Sequence, residues 1–513
     1  MKPNDFIYIL DCIILIPILK ISKYLPNNRS SFKIRLVKFL IVLALFLPFD
    51  AIKVYNLSID QPNLISTMVN KLYLTKILGI LNFQVLDCFN ITSTKISNLK
   101  SIPKSKEAKI KNYLSKKDSN YTTSNFKEFG KGKNLIMLQV EALQGFVINQ
   151  KVNGQEITPN LNRWINKSLY FNNYFYQVAS GVTSDAEFLS NNSLYPASSG
   201  AAYYIYCNDN YDSLAKQMNN NGYYSAAING YKEGFWNRNV MYKAEAFDNF
   251  YGEHNYNINE TVGLGLSDKS FFNQTIPMLK KFKQPYFSFL ITLSSHYPYD
   301  DQKGYGNFDT GKYKGTFLGN YLNGIHYTDG QIGMFLDKLE KDGILDNSIL
   351  VIYGDHYAIP KNGIEQLYDF ENLKNPTNLD WYELQKVPML IHFPKDANKG
   401  VNSMYSGQVD LYPTLVNLFG LQKKYMFGSD LLNTKNNIVT FRNGSFTDGN
   451  YFYVSFEDRY YDIKKKSPIS PNTKLKTMKQ NALTELEYSD DILNHNLLKN
   501  FLAEDSKKAG KNK

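Results

Sequence analysis

Cysteine is nearly absent from this chain: Cys12, Cys88 and Cys207 are the only three among 513 residues. Cys12 sits in an apolar stretch, so one disulfide between the other two is arithmetically open and no disulfide framework is implied. Internal repeats are missing, as are zinc-finger spacings, RNA-binding signatures and strongly basic helices. The formal net charge of +11 is spread over scattered lysines, which argues against nucleic acid and favours an anionic lipid surface. Also missing is any clean apolar run of the ~18 residues expected of a membrane span. Phe6 to Ile21 comes close but carries Asp11, and Leu36 to Ile52 is free of charge only in its centre, Phe39 to Phe49. A signal peptide fits neither run, since it would follow a short basic head directly and end in small residues.

Aromatic residues, by contrast, are abundant, with 39 Tyr and 33 Phe. A tyrosine ring tolerates apolar contact while its hydroxyl stays wet, which suits a catalytic surface beside lipid headgroups. A codon bias toward Asn, Lys, Tyr and Ile explains the same composition equally well. Between the two apolar runs, Lys20, Lys23, Arg29, Lys33, Arg35 and Lys38 are basic, and Ser22 to Lys38 holds no acidic residue. The positive-inside rule makes this loop cytoplasmic, so the chain after Ile52 lies outside the cell. Met1 would then lie outside too, an arrangement that predicts further spans upstream. Leu64, Met68, Leu72 and Leu78 have the spacing of an amphipathic helix, either on the membrane surface or packed as a linker. Lys100 to Lys133 is polar and lysine-rich and reads as a linker.

After Lys133 the pattern changes. Asn134 to Val140, Pro285 to Leu293, Ser348 to Tyr353 and Val387 to Phe393 read as buried strands. Helical patterns such as Tyr321 to Leu339 and Asp410 to Leu418 alternate with them, which predicts an α/β sandwich. Functional groups in such sheets gather beyond the strand ends. Glu141 follows the first strand, His296 the second, and Gly354-Asp355-His356 the third. Glu141, Asp355 and His356 make an O,O,N set suited to Mn2+ or Zn2+, although Asp-His after a strand is more often an ordinary loop. Ser184 and Glu187 fit a capping box, which places Thr183 at a helix N-terminus. Free N–H groups there favour negative charge, and a coordinated hydroxyl becomes a nucleophile without a neighbouring base. On spacing alone Thr183 is either that nucleophile or a cap, and caps far outnumber nucleophiles.

These residues carry a resemblance. Leu138 to Phe146, Lys151 to Pro159, Thr183 to Phe188, Asn191 to Pro196, Phe235 to Tyr242, Leu293 to Pro298, Tyr353 to Tyr357 and Arg442 to Gly444 occur in the order found in the lipoteichoic acid synthase family. The similarity runs from about Val54 to about Leu498, and the family lies in the alkaline phosphatase and sulfatase superfamily. The resemblance implies a sandwich with a central mixed sheet flanked by helices, a small C-terminal β subdomain and an N-terminal transmembrane region. Together with the pattern of the residues it divides the chain into membrane spans over 1–53, amphipathic helix and linker over 54–132, an extracellular catalytic domain over 133–435, a subdomain with a helix over 436–498, and a basic tail over 499–513, which reads as disordered from Ser506 to Lys513.

The same resemblance implies that Glu141, Thr183, Asp355 and His356 bind Mn2+, with Zn2+ or Mg2+ as alternatives, and that Thr183 is the nucleophile. Trp236, Arg238 and His296 would contact the glycerophosphate of phosphatidylglycerol, the acceptor being glycolipid-anchored polyglycerophosphate or a glycolipid starter. One departure stands out: the family often has His-Gly where this chain has Asn229-Gly230, which puts an outer substrate contact in doubt. Formylglycine sulfatases are excluded, because Cys207 is followed by Asn-Asp-Asn rather than proline and arginine at the required spacing. The remaining rivals are a phosphoethanolamine transferase, whose envelope type usually carries several disulfides, and an inert wall-polymer-binding protein, which should have lost a ligand or the nucleophile. His254, His326, His392 and His495 read as structural or surface residues.

Overall fold

The structure, a computed structural model, describes residues 31–34, 36–37, 55, 75–76, 78–80, 82–89, 102–119 and 125–511. The two expected spans, and Leu64, Met68 and Leu72 of the amphipathic stretch, lie outside the described residues apart from a few positions. Among the described residues no helix is long and apolar enough to cross a membrane. The chain separates into two units, one of residues 1–65 and 71–87, the other of residues 66–70 and 88–513. In the first, residues 82–87 are helical; the elements below belong to the second.

An eight-stranded mixed sheet forms its centre. In chain order the strands are Asn134–Val140 (β1), Leu169–Phe171 (β2), Tyr224–Asn229 (β3), Asn249–Tyr251 (β4), Tyr286–Ile291 (β5), Ser348–Gly354 (β6), Met389–His392 (β7) and Gly400–Asn402 (β8). Their spatial order is β8-β2-β7-β6-β1-β5-β3-β4. Within this sheet β7 alone runs against its neighbours, antiparallel to β6 and β2. The inner strands read as continuous apolar runs because both of their faces are covered. Along β1, Leu135 and Met137 face one core, while Ile136, Leu138 and Val140 face the other.

The principal helices are Lys104–Ser119 (α1), Val182–Asn192 (α2), Arg238–Ala244 (α3), Asp268–Lys281 (α4), Phe317–Lys341 (α5), Leu411–Phe419 (α6), Thr473–Asn494 (α7) and Leu497–Lys511 (α8). Helices α4 and α5 cover one face of the sheet, with Phe272 stacked on Phe335 at 4.4 Å. Helices α1, α2, α6, α7 and α8 contribute to the core on the other face. Helix α5 starts earlier than its apolar period suggests because the Thr316 hydroxyl caps it, accepting from Gly319 N at 3.1 Å. A five-stranded antiparallel sheet follows, Val439–Thr440 (β9), Phe446–Thr447 (β10), Tyr451–Val454 (β11), Arg459–Asp462 (β12) and Ser467–Ile469 (β13), its strands adjacent in chain order.

Two expectations are corrected. The lysine-rich stretch read as a linker contains α1, whose Ile110 and Leu114 are fully buried. Three of its lysines are engaged: Lys106 pairs with Glu487 and Asp491, Lys111 with Glu504 and Asp505, and Lys117 with Glu485; Lys104, Lys109 and Lys116 are exposed. The stretch read as disordered from Ser506 is helical through Lys511, as the end of a helix whose Phe501 is buried against the same core.

Candidate active site

Register brings the site together. In the sheet Val140 lies opposite Gly354, and Gln139 lies opposite both Tyr353 and Ile291. The carboxyl ends of β1, β5 and β6 therefore finish side by side, and the residues just beyond them are neighbours whatever their distance in sequence. Glu141 follows β1, Thr292 to His296 follow β5, and Asp355 and His356 follow β6. The Thr292 hydroxyl accepts from Glu141 N at 2.9 Å, and the Ser295 hydroxyl donates to Glu141 O at 2.7 Å, which ties the first two loops together.

Glu141, Asp355 and His356 offer ligand atoms that all lie within 4.8 Å of one another, and all three are buried. His356 Nε2 stands 3.3 Å from Glu141 Oε1 and 3.4 Å from Asp355 Oδ2. Thr183 Oγ1 completes the cluster at 3.2 Å from Glu141 Oε2 and 3.4 Å from His356 Nε2. The outer partners orient each group. Asp355 Oδ1 accepts from the backbone N–H of Ala142 at 2.8 Å and of His356 at 2.7 Å. Asp355 Oδ2 is buried and has no hydrogen-bond partner. His356 Nδ1 donates to Tyr357 O at 2.7 Å, which turns Nε2 toward the carboxylates. A buried carboxylate oxygen without a donor, facing an imidazole nitrogen and a second carboxylate, fits a divalent cation.

The electrostatics point the same way. Burial opposes charge on Glu141, yet the adjacent His356 imidazolium prevails and holds its carboxyl down at about 2. Burial, then the charge on Glu141, drives the Asp355 carboxyl well above its usual range. Burial presses His356 downward, but Asp355 and Glu141 raise it to about 9. Two carboxylates crowd one buried point, which raises Asp355 and His356, and the charge drawn onto His356 in turn lowers Glu141; the point attracts positive charge.

The backbone around this point is specialised. A Cβ on Gly354 would lie 2.0 Å from Leu143 O, so only glycine lets β6 end where the Asp355 loop can meet Glu141. Gly354→Ala is therefore expected to lower stability by about 1–3 kcal/mol and to weaken binding of a divalent cation, read by thermal melting and metal titration. Gln144 supports the other side of this loop, its Oε1 accepting from Ala358 N at 2.9 Å.

Thr183 is the second residue of α2, as expected, but the capping box is not formed. The cap is Gly181, and Ser184 lies inside the helix with its hydroxyl donating to Gly181 O at 2.8 Å. Asp185 fills the role instead: its Oδ2 accepts from Ala179 N and Gly181 N, each at 2.9 Å. Burial pushes the Asp185 carboxyl up to about 7. Val182, directly before Thr183, sits at φ 44°, in the left-handed region that a β-branched residue rarely adopts. The turn that presents Thr183 is thus held in a strained form by Asp185.

Glu187, read as the other half of the capping box, is fully buried and bonded to Arg238. Arg238 Nε and Nη2 donate to its carboxylate at 3.0 and 2.6 Å, and Tyr242 OH adds a bond at 2.5 Å. Arg238 Nη1 remains, 3.4 Å from Asn229 Oδ1. Asn229 is itself buried, with its Nδ2 donating to Ile291 O at 3.1 Å. Trp236 is half-buried two residues away at φ 57°, and its Nε1 has no partner. His296 is near enough to Glu141 to help lower that carboxyl, and its Nδ1 donates to Tyr297 O at 2.6 Å. The structure thus joins Glu141, Thr183, Asp355 and His356 directly. Arg238 is tied to the helix of Thr183 through Glu187. Asp268, which sequence reasoning passed over, accepts from Leu293 N and Ser294 N and fixes the loop of His296. Of the remaining histidines, His254 pairs with Glu233, His392 with Asp396, and His326 donates to Ile157 O while stacking on Phe308.

Comparison with known proteins places this site in context. The profile of the sulfatase family matches residues 133–421. That of the lipoteichoic acid synthase N-terminal domain matches residues 1–100. Lipoteichoic acid synthase 2 of Bacillus subtilis is 36% identical over 512 residues, covering 97% of this chain and 76% of the relative. Lipoteichoic acid synthase of Staphylococcus aureus is 32% identical over 529 residues, covering 100% of this chain and 79% of the relative. The crystal structure of the lipoteichoic acid synthase LtaP from Listeria monocytogenes superposes with a TM-score of 0.69 at 30% identity, covering 76% of this chain and 98% of that one.

Proposed function

The chain belongs to the lipoteichoic acid synthase family, and on that premise we propose that it moves glycerophosphate from phosphatidylglycerol to a polyglycerophosphate chain or glycolipid starter, through Thr183. The observation that carries this reading is the buried cluster in which Thr183 Oγ1 lies 3.2 Å from Glu141 and 3.4 Å from His356, beside the unpartnered Asp355 Oδ2. Glu141, Thr183, Asp355 and His356 would hold one divalent ion, with Mn2+ our first choice and Zn2+ or Mg2+ as alternatives. When bound, it lowers the pKa of the Thr183 hydroxyl and offsets charge on the phosphoryl oxygens.

In the first step Thr183 Oγ gives up its proton and attacks phosphorus, the bond from phosphorus to the diacylglycerol oxygen breaks, and that oxygen takes up a proton. His296 offers Nε2 to the phosphate or to this leaving oxygen, since its Nδ1 is engaged by Tyr297 O. Arg238 presents Nη1 to a phosphoryl oxygen, while Glu187 fixes the rest of its guanidinium. Trp236 walls the glycerol and has a free N–H. In the second step an acceptor hydroxyl attacks the glycerophospho-threonine, loses its proton, and Thr183 is regenerated. The N-terminal region would anchor the chain in the cell membrane with the catalytic domain outside, next to a donor that stays in the bilayer.

The test uses the full chain in vesicles carrying fluorescent phosphatidylglycerol or phosphatidylethanolamine. Diacylglycerol release from phosphatidylglycerol, lost on chelation and restored by Mn2+, is the expected result. Release from phosphatidylethanolamine instead would replace this reading with phosphoethanolamine transfer, and inactivity on both would favour the inert polymer-binding protein.

A further inference from the structure

Several of the most exposed apolar side chains in the catalytic unit stand on segments next to the residues assigned to substrate. Among the described residues from 102 onward, four large apolar side chains are more than half exposed: Tyr204 (55%), Ile205 (51%), Tyr297 (59%) and Val401 (62%). Val401 lies on the edge strand β8. The other three sit on loops that carry or touch the residues assigned to substrate. Tyr297 follows His296. Tyr204 and Ile205 end a short helix, Ala202–Ile205, that packs beside the loop of Trp236 and Arg238. Asn237 Nδ2 donates to Tyr203 O at 2.8 Å, and the rings of Tyr204 and Trp236 are 6.4 Å apart.

The adjoining helix α3 extends this surface. Val240 and Lys243 are exposed and three residues apart, so they share one helix face. Lys232 is also exposed. From Tyr231 to Lys243 the single carboxylate is Glu233, and it is paired with His254. Tyr204 and Ile205 thus stand on a short helix packed against α3, whose exposed face carries Val240 and Lys243, with Lys232 on the loop that leads into Trp236 and Arg238. Aromatic and aliphatic side chains of this kind enter the headgroup layer of a bilayer, and lysines favour anionic lipid there.

We propose that Tyr204, Ile205 and Val240, with Lys232 and Lys243, seat the face of the catalytic unit beside the Trp236–Arg238 loop on an anionic lipid surface. The proposal rests on the lipid donor assigned above, and extends it by stating which part of the catalytic unit meets the bilayer. Scattered exposed hydrophobics need no explanation; here they coincide with the substrate residues and with a one-sided charge.

Two measurements test it on the full chain reconstituted in phosphatidylcholine vesicles, with and without phosphatidylglycerol. In the first, Tyr204→Trp and Val401→Trp are compared for quenching of the added emission by doxyl-labelled lipid. At least about twofold stronger quenching at 204, increasing with phosphatidylglycerol, is expected. Equal quenching at the two positions overturns the seat. This arm requires no turnover, so it is decided separately from the reaction. In the second, combined Tyr204→Ser and Ile205→Ser is expected to slow diacylglycerol release from vesicles about tenfold and leave release from dispersed short-chain phosphatidylglycerol unchanged. Equal loss on both substrates, or loss on neither, overturns it. A wild-type chain inactive on both sinks the assigned reaction and leaves the quenching arm to decide.

Discussion

Thr183→Ala is expected to reduce diacylglycerol release by about ten-thousandfold while changing stability by less than about 1 kcal/mol. The two effects separate because of where the hydroxyl sits. It is buried among Glu141 and His356, but its bonds are long, 3.2 and 3.4 Å, so the folded state loses little without it. The reaction, by contrast, has among the described residues no other hydroxyl hydrogen-bonded to the Glu141 and His356 side chains; those of Thr292 and Ser295 are engaged with the Glu141 backbone. Thr183→Ser keeps an oxygen at the same atom and should recover a measurable part of the rate, since the turn is held by Asp185 rather than by the threonine methyl group. A Thr183→Ala protein that still releases diacylglycerol would move the nucleophile elsewhere; an unfolded one would move Thr183 into the structural core. Steady-state turnover together with a thermal melt distinguishes the three.

Glu187→Ala is expected to cost about 3–5 kcal/mol of stability. Its carboxylate is fully buried, and the Arg238 side chain it holds is only 3% exposed. Removing the carboxylate leaves a guanidinium that cannot shed its charge in a site closed to water, along with the Tyr242 hydroxyl. Burial works against charge on Arg238, and the Glu187 charge outweighs it, raising the guanidinium above its usual range. Glu187→Gln preserves the shape and one acceptor and should be milder. In the gentler variant the Michaelis constant for phosphatidylglycerol should rise more than turnover falls, because Arg238 is freed to leave its pose. Urea unfolding of both variants checks the ordering, and a glutamine variant less stable than the alanine one would contradict it.

The parts of this molecule legible in its sequence are those set by local pattern. Buried strands show as continuous apolar runs, so β1, β5, β6 and β7 and the residues at their ends were found to within a few positions. Bringing Glu141 next to Asp355 needed only the rule that parallel strands end at a shared edge. Distant polar pairing was not legible. Ser184 and Glu187 satisfy the spacing of a capping box, and nothing in that spacing reveals Arg238, 51 residues away, as the true partner of Glu187. Asp185 shows no signal beyond its place beside Thr183, because its work is done on backbone N–H groups. The lysines of α1 read as solvent-facing for the same reason: their partners lie more than 360 residues further on.

The docking of α1 also decides where the polypeptide can be cut. Ile110 and Leu114 share a core with Leu486, Ile492, Leu497 and Phe501 of the last two helices. A fragment starting at Lys133, at the first residue before β1, would strip that cover, leave an oily groove along α7 and α8, and strand Glu485, Glu487, Asp491 and Glu504 without their lysines, while Asp505 keeps Lys424. Such a fragment is prone to stick to itself, whereas one that starts just ahead of Ile102 carries its own cover.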